Sequence, residues 1–153
     1  MSIAVFVSGH YVELKELTME EYNEVLKSMP ATVSEGEKTL RIVTQAITKV
    51  RKCTPPSKEF IEELTKKFEA ENEEDADPDA LSVERASNIP EFQRQYVEHL
   101  EQNCLGSNVP KTTFVRSLSV ASFRLLETAY NKVNDITEEE MVAFFLTLGQ
   151  KMD

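Results

Sequence analysis

Tryptophan is absent from this chain of 153 residues, glycine occurs four times, and cysteine and histidine occur twice each. Each shortage closes off a class of protein. With only Gly9, Gly36, Gly106 and Gly149, neither a phosphate-cradling P-loop nor a G-x-G-x-x-G dinucleotide turn can be assembled. The same scarcity argues against a large all-β fold with many tight turns. Cys53 and Cys104 permit one disulfide but not a disulfide framework. Together with His10 and His99 they could supply four zinc ligands in number, yet no pair has the short spacing that zinc sites use. Long apolar runs are missing too, since nothing approaches the ~20 residues needed to cross a bilayer. The opening run Met1-Ser2-Ile3-Ala4-Val5-Phe6-Val7 is short for a signal peptide and lacks a basic n-region and a cleavage site. These gaps together lead us to expect a soluble cytoplasmic protein with reduced cysteines and no membrane partner.

What the chain has in excess is negative charge, −10 in total and unevenly placed. Residues 59–105 carry fourteen acids against four bases, whereas residues 29–58 carry two acids against six bases. The acidic segment repels nucleic-acid phosphates, so direct DNA or RNA binding is not expected. The basic cluster Lys49, Arg51, Lys52 and Lys58 reads as a solvated helix end.

The pattern of apolar residues predicts one domain over residues 1–153, mainly α, a compact body of about six helices with a small N-terminal β-hairpin. The hairpin spans residues 3–15, where two β-type runs flank a turn containing Gly9. A lone hairpin is marginal in water, so it must lie on the helices. Thr18-Met19-Glu20-Glu21 is a capping box that opens the first helix, and Thr137 to Glu140 repeats it before the last. Leu40, Val43, Ala46, Ile47 and Val50 predict one continuous helix up to Thr54-Pro55-Pro56-Ser57. Ser57 caps another, with Phe60, Ile61, Leu64 and Phe68 on one side. From Glu69 to Asp79, seven of eleven residues are acidic, which predicts a mobile loop near 69–79. Asp77-Pro78 restarts a short helix anchored by Leu81 and Val83, and Phe92, Tyr96, Val97 and Leu100 mark another. The most apolar stretch, Phe114 to Val133, predicts a central helix over 113–133 around which the others pack. The last helix carries Val142, Phe144, Phe145 and Leu148 around much of its circumference, so it either docks deeply on the body, the reading we favour, or offers apolar surface to a partner.

Tests for chemistry find no site. An EF-hand register starting at Glu73 puts Glu84 at the twelfth place but Pro78 where the sharp turn needs glycine, and a start at Asp75 fails at Ala80 and Ala86. Ser8-Gly9-His10 lacks the strand–turn–helix context of a nucleophile elbow. No catalytic residue, metal ligand or cofactor site is therefore expected, and the chain reads as a binding protein rather than an enzyme.

One resemblance narrows this reading. The hairpin running into Val12-Glu13-Leu14-Lys15-Glu16-Leu17-Thr18-Met19-Glu20-Glu21-Tyr22, and the later Phe123-Arg124-Leu125-Leu126-Glu127-Thr128-Ala129-Tyr130-Asn131-Lys132-Val133-Asn134, resemble segments of small tail assembly chaperones of tailed bacteriophages. The resemblance implies a non-enzymatic helical protein that keeps a long helical tape measure protein soluble in the host cytoplasm and helps tail-tube subunits polymerise on it. Two other functions fit the composition: an acidic nucleic-acid mimic that occupies a basic groove, and a scaffolding subunit of a viral particle. Self-association fits all three. The residues expected to meet a partner protein are Glu71, Glu73, Glu74, Asp75 and Asp77 in the acidic run, and Phe144 and Phe145 in the last helix.

Overall fold

Two residues, Ser8 and Gly9, reverse the chain with φ of 50° and 72°. Positive φ at both centres is the turn that matches the twist of paired strands. It joins β1 (Ser2–Val7) to β2 (His10–Lys15) in a continuous antiparallel register from Ser2↔Lys15 to Val7↔His10. The computed structural model describes residues 2–69 and 89–152. The mobile loop expected near 69–79, beyond Glu69, and the short helix expected around Leu81 and Val83 lie outside the described residues.

The hairpin is half of a larger sheet. β3 (Ile47–Cys53) pairs antiparallel with β2, and a two-residue β4 (Cys104–Leu105) pairs with β3, giving the order β1-β2-β3-β4. Among the described residues, seven helices accompany it. They are α1 (Met19–Lys27), α2 (Glu35–Ala46), α3 (Lys58–Glu69), α4 (Pro90–Gln102), α5 (Lys111–Ser117), α6 (Val120–Val133) and α7 (Glu138–Met152). The fold is thus α+β, which corrects the mainly helical expectation with its small hairpin.

The correction turns on residues 47–53. The helix predicted through Val50 ends at Ala46, and Ile47 is already extended, with φ −73° and ψ 126°. In β3 the pairs are Leu14↔Ile47 and Glu13↔Lys49, so Thr48 is an extra residue, a bulge. The bulge puts Ile47 and Val50 on the same face although they are three apart, and Cys53 is buried on the other face. Burial at 47, 50 and 53 imitates a helix for that reason alone. Lys49, Arg51 and Lys52 consequently sit along a strand and not at a helix end, with Arg51 Nη2 donating to the Gly106 carbonyl at 2.6 Å.

One sheet face carries Val7, Val12, Leu14, Ile47 and Val50, all buried. Val43 of α2, Phe114 and Val115 of α5, and Leu126 and Ala129 of α6 cover it to form the main core. The opposite face places Tyr11 and Cys53 against Leu100 of α4. α3 backs α4 through Leu64, Phe68 and Phe92.

The central helix predicted over 113–133 is two helices. Leu118 and Ser119 are extended, with ψ of 149° and 160°, and the Ser119 hydroxyl accepts from the Ser122 amide at 3.1 Å to cap α6. On either side of the break, α5 and α6 both pack on the same sheet face. The capping box at α1 is complete: Thr18 Oγ1 accepts from the Glu21 amide and Glu21 Oε1 from the Thr18 amide, both at 3.2 Å. Leu17 N donates to Asn134 Oδ1 at 2.8 Å, tying the end of β2 to the end of α6.

Candidate protein-docking surfaces

Two surfaces stand out against this frame. The first is α7. Thr137 Oγ1 accepts from the Glu140 amide at 3.1 Å, and Glu138, Glu139 and Glu140 fill the first turn, where their charge complements the helix dipole. Every residue from Glu138 to Leu148 is exposed. Phe144, Phe145 and Leu146 expose 59%, 61% and 65% of their surface, and Met141, Val142 and Leu148 are also open. At 100° per residue these six side chains sweep an arc of roughly 200°, about twice the stripe that suffices to lay a helix on one surface. Phe144 and Phe145 meet edge to face with centroids 5.7 Å apart. The expected docking of this helix on the body is therefore corrected: its apolar residues remain in solvent. An isolated helix of this length is marginal in water, and most helical stability in proteins comes from packing.

The second surface is a groove of about 1030 Å³ beside β1. Its long walls are β1 from Ser2 to Val5 and α4 from Pro90 to Glu101, and the end of α6 at Lys132 and Val133 closes the far side. At its base the buried Tyr11 hydroxyl stands 2.6 Å from Glu13 Oε1 and 3.0 Å from Glu101 Oε1. A phenol has one proton, so it donates to one carboxylate at a time while lying between both. Burial, followed by the two carboxylates, pushes the Tyr11 hydroxyl far above its ordinary pKa and keeps it a donor. Arg94 also lines the groove, where its guanidinium is held by Glu91 and Glu98.

Of the residues singled out from the sequence, Phe144 and Phe145 lie together on α7, whereas Glu71, Glu73, Glu74, Asp75 and Asp77 lie outside the described residues. The imidazoles and thiols are dispersed. His10 tilts against Phe114 at 4.7 Å, and His99 stacks on Phe60 at 3.6 Å. Cys53 and Cys104 face each other across β3 and β4, and both thiols lie on the Leu100 carbonyl, at 3.2 and 3.4 Å. Burial and the neighbouring Cys104 push the Cys53 thiol up to about 11. No three His, Cys, Asp or Glu among the described residues come together as a metal site. No described helix is long and apolar enough to cross a membrane. Tyr11 and Glu101, ninety residues apart, had no local signal that would join them.

No protein-family model matches the chain, and neither a curated protein nor a solved structure is significantly similar to it.

Proposed function

We propose that this is a non-enzymatic binding protein that engages a helical partner through α7, as an assembly chaperone does. The observation that carries the reading is the exposed arc of Met141, Val142, Phe144, Phe145, Leu146 and Leu148. An arc that wide is satisfied by enclosure between helices, and a long amphipathic client provides that. The chaperone resemblance supplies the client class, a tape measure protein held soluble in the host cytoplasm before the tail tube closes on it. The net charge of −10 keeps such a complex soluble and disfavours nucleic acid as the partner.

Coexpression with a long coiled-coil protein of the same genome, followed by affinity capture, tests this. The client should stay bound in moderate salt and be released by the paired substitution Phe144→Ser and Phe145→Ser. A complex indifferent to that substitution, or one that dissolves steeply with salt, refutes the reading and favours an electrostatic mimic.

A further inference from the structure

The groove beside β1 has the shape of an unfilled strand position. We propose that it receives an extended segment of a partner protein, added to β1 as a fifth strand, with Lys or Arg at the alternate residues that face α4. This goes beyond the helical client of α7 and uses a different surface.

Backbone parity supplies the first support. Because the Ser8–Gly9 turn closes on Val7↔His10, the amides and carbonyls of Val7, Val5 and Ile3 point to β2, and those of Phe6, Ala4 and Ser2 point outward. The bond from the Cys53 amide to the Gly9 carbonyl, at 3.0 Å, fits the same parity on the other side of β2. Among the described residues β1 has no neighbour on that outer side. The strand Ser2-Ile3-Ala4-Val5-Phe6-Val7 carries no charge and no proline, so it lacks the usual guards against edge pairing. A six-residue strand offers ~20 Å of such edge.

The walls supply the second. An added strand would lie with one face toward Lys132 and Val133 and the other toward α4, where the charge of Arg94 is already met by Glu91 and Glu98. On the α4 side, Ala4 is the cross-strand neighbour of Glu13, and its small side chain leaves the Glu13 and Glu101 carboxylates reachable from the edge. The new strand would sit ~10 Å from β2, two strand spacings away, a gap that a lysine and a glutamate span together. Neither Glu13 nor Glu101 is in an ion pair with a described residue, although Lys49 is the cross-strand neighbour of Glu13. A second copy of this chain fits less well: its own β1 would bring only Ser2, Ala4 and Phe6 to those carboxylates.

The test is fluorescence anisotropy with the full chain and a labelled, end-blocked peptide of about eight residues alternating Lys and Val. Saturable binding that weakens with salt is expected. The double substitution Glu13→Gln with Glu101→Gln should weaken it at least ~10-fold, and Ala4→Pro, which removes an outward amide, by a similar factor. Should Ala4→Pro disturb the fold by circular dichroism, Ala4→Lys replaces it, placing a like charge at the edge without touching the hairpin bonds. Absence of saturation, equal binding by a Glu–Val peptide, or indifference to these substitutions overturns the proposal. So does a free chain that sediments as a dimer and becomes monomeric with Ala4→Lys, since the slot would then belong to a second copy.

Discussion

Replacing Phe144 and Phe145 together by alanine should leave the stability of the isolated protein almost unchanged. A buried phenylalanine truncated to alanine costs ~3–5 kcal/mol, so two docked rings would cost ~6–10 kcal/mol, a large part of the ~5–15 kcal/mol that a domain possesses. Here the rings are 59% and 61% exposed and sit in no core cluster. The contact they make with each other is worth at most ~0.5–1.5 kcal/mol, and alanine returns several tenths per residue in helix propensity. The net change should stay within about 1 kcal/mol of zero. Urea denaturation followed by far-ultraviolet circular dichroism measures it, and the slope with urea should not change either, because no buried surface is lost. A loss above ~3 kcal/mol would show that α7 packs on its own chain and offers no open surface to a client.

Four further outcomes follow from the same contacts. Leu126→Ala, at a fully buried position between α6 and the sheet, should cost ~2–5 kcal/mol by chemical denaturation, and a loss under 1 kcal/mol would contradict the packing described. Thr18→Ala removes one half of the capping box and should cost ~1 kcal/mol, read by thermal melting. Arg94 beside Glu91, with help from Gln95, holds that carboxyl down to about 2 from 4.5; what it contributes is complete above pH 4.5 and fades as pH falls toward 2. Carbon-detected titration of Arg94→Gln should return Glu91 toward 4.5, and an unmoved value refutes the pairing. Cys53, with its thiol raised to about 11, should resist alkylation at pH 8, whereas oxidised glutathione should link it to Cys104 with loss of two hydrogens per chain by mass spectrometry; two thiols persisting after exhaustive oxidation would contradict the cross-strand placement.

How much of this was legible in the sequence depended on how local each determinant is. The Thr18–Glu21 box and the glycine turn are set within four residues, and both stand where the sequence places them. β3 is set by pairing with β2, some thirty-five residues earlier, and its bulge at Thr48 rewrites an alternating pattern into a helical one. The break at Leu118–Ser119 gave only a faint sign, a serine three before another serine, inside a run apolar enough to read as continuous. Phe144 and Phe145 could be recognised as apolar on a helix, but whether something in the chain covers them is a tertiary fact. The groove combines the free edge of β1 with carboxylates from β2 and α4, so no window of sequence contains it.

The covering of the β1–β2 hairpin by α6 also sets an order of events during synthesis. Val5, Val12 and Leu14 leave the ribosome first, yet Leu126 and Ala129, which roof them, are added over a hundred residues later. At about 5–20 residues per second the wait is on the order of ten seconds. Until then Val12 and Leu14 have only the earlier cover of Val43, Ile47, Val50, Phe114 and Val115, and the finished packing of the hairpin waits on α6.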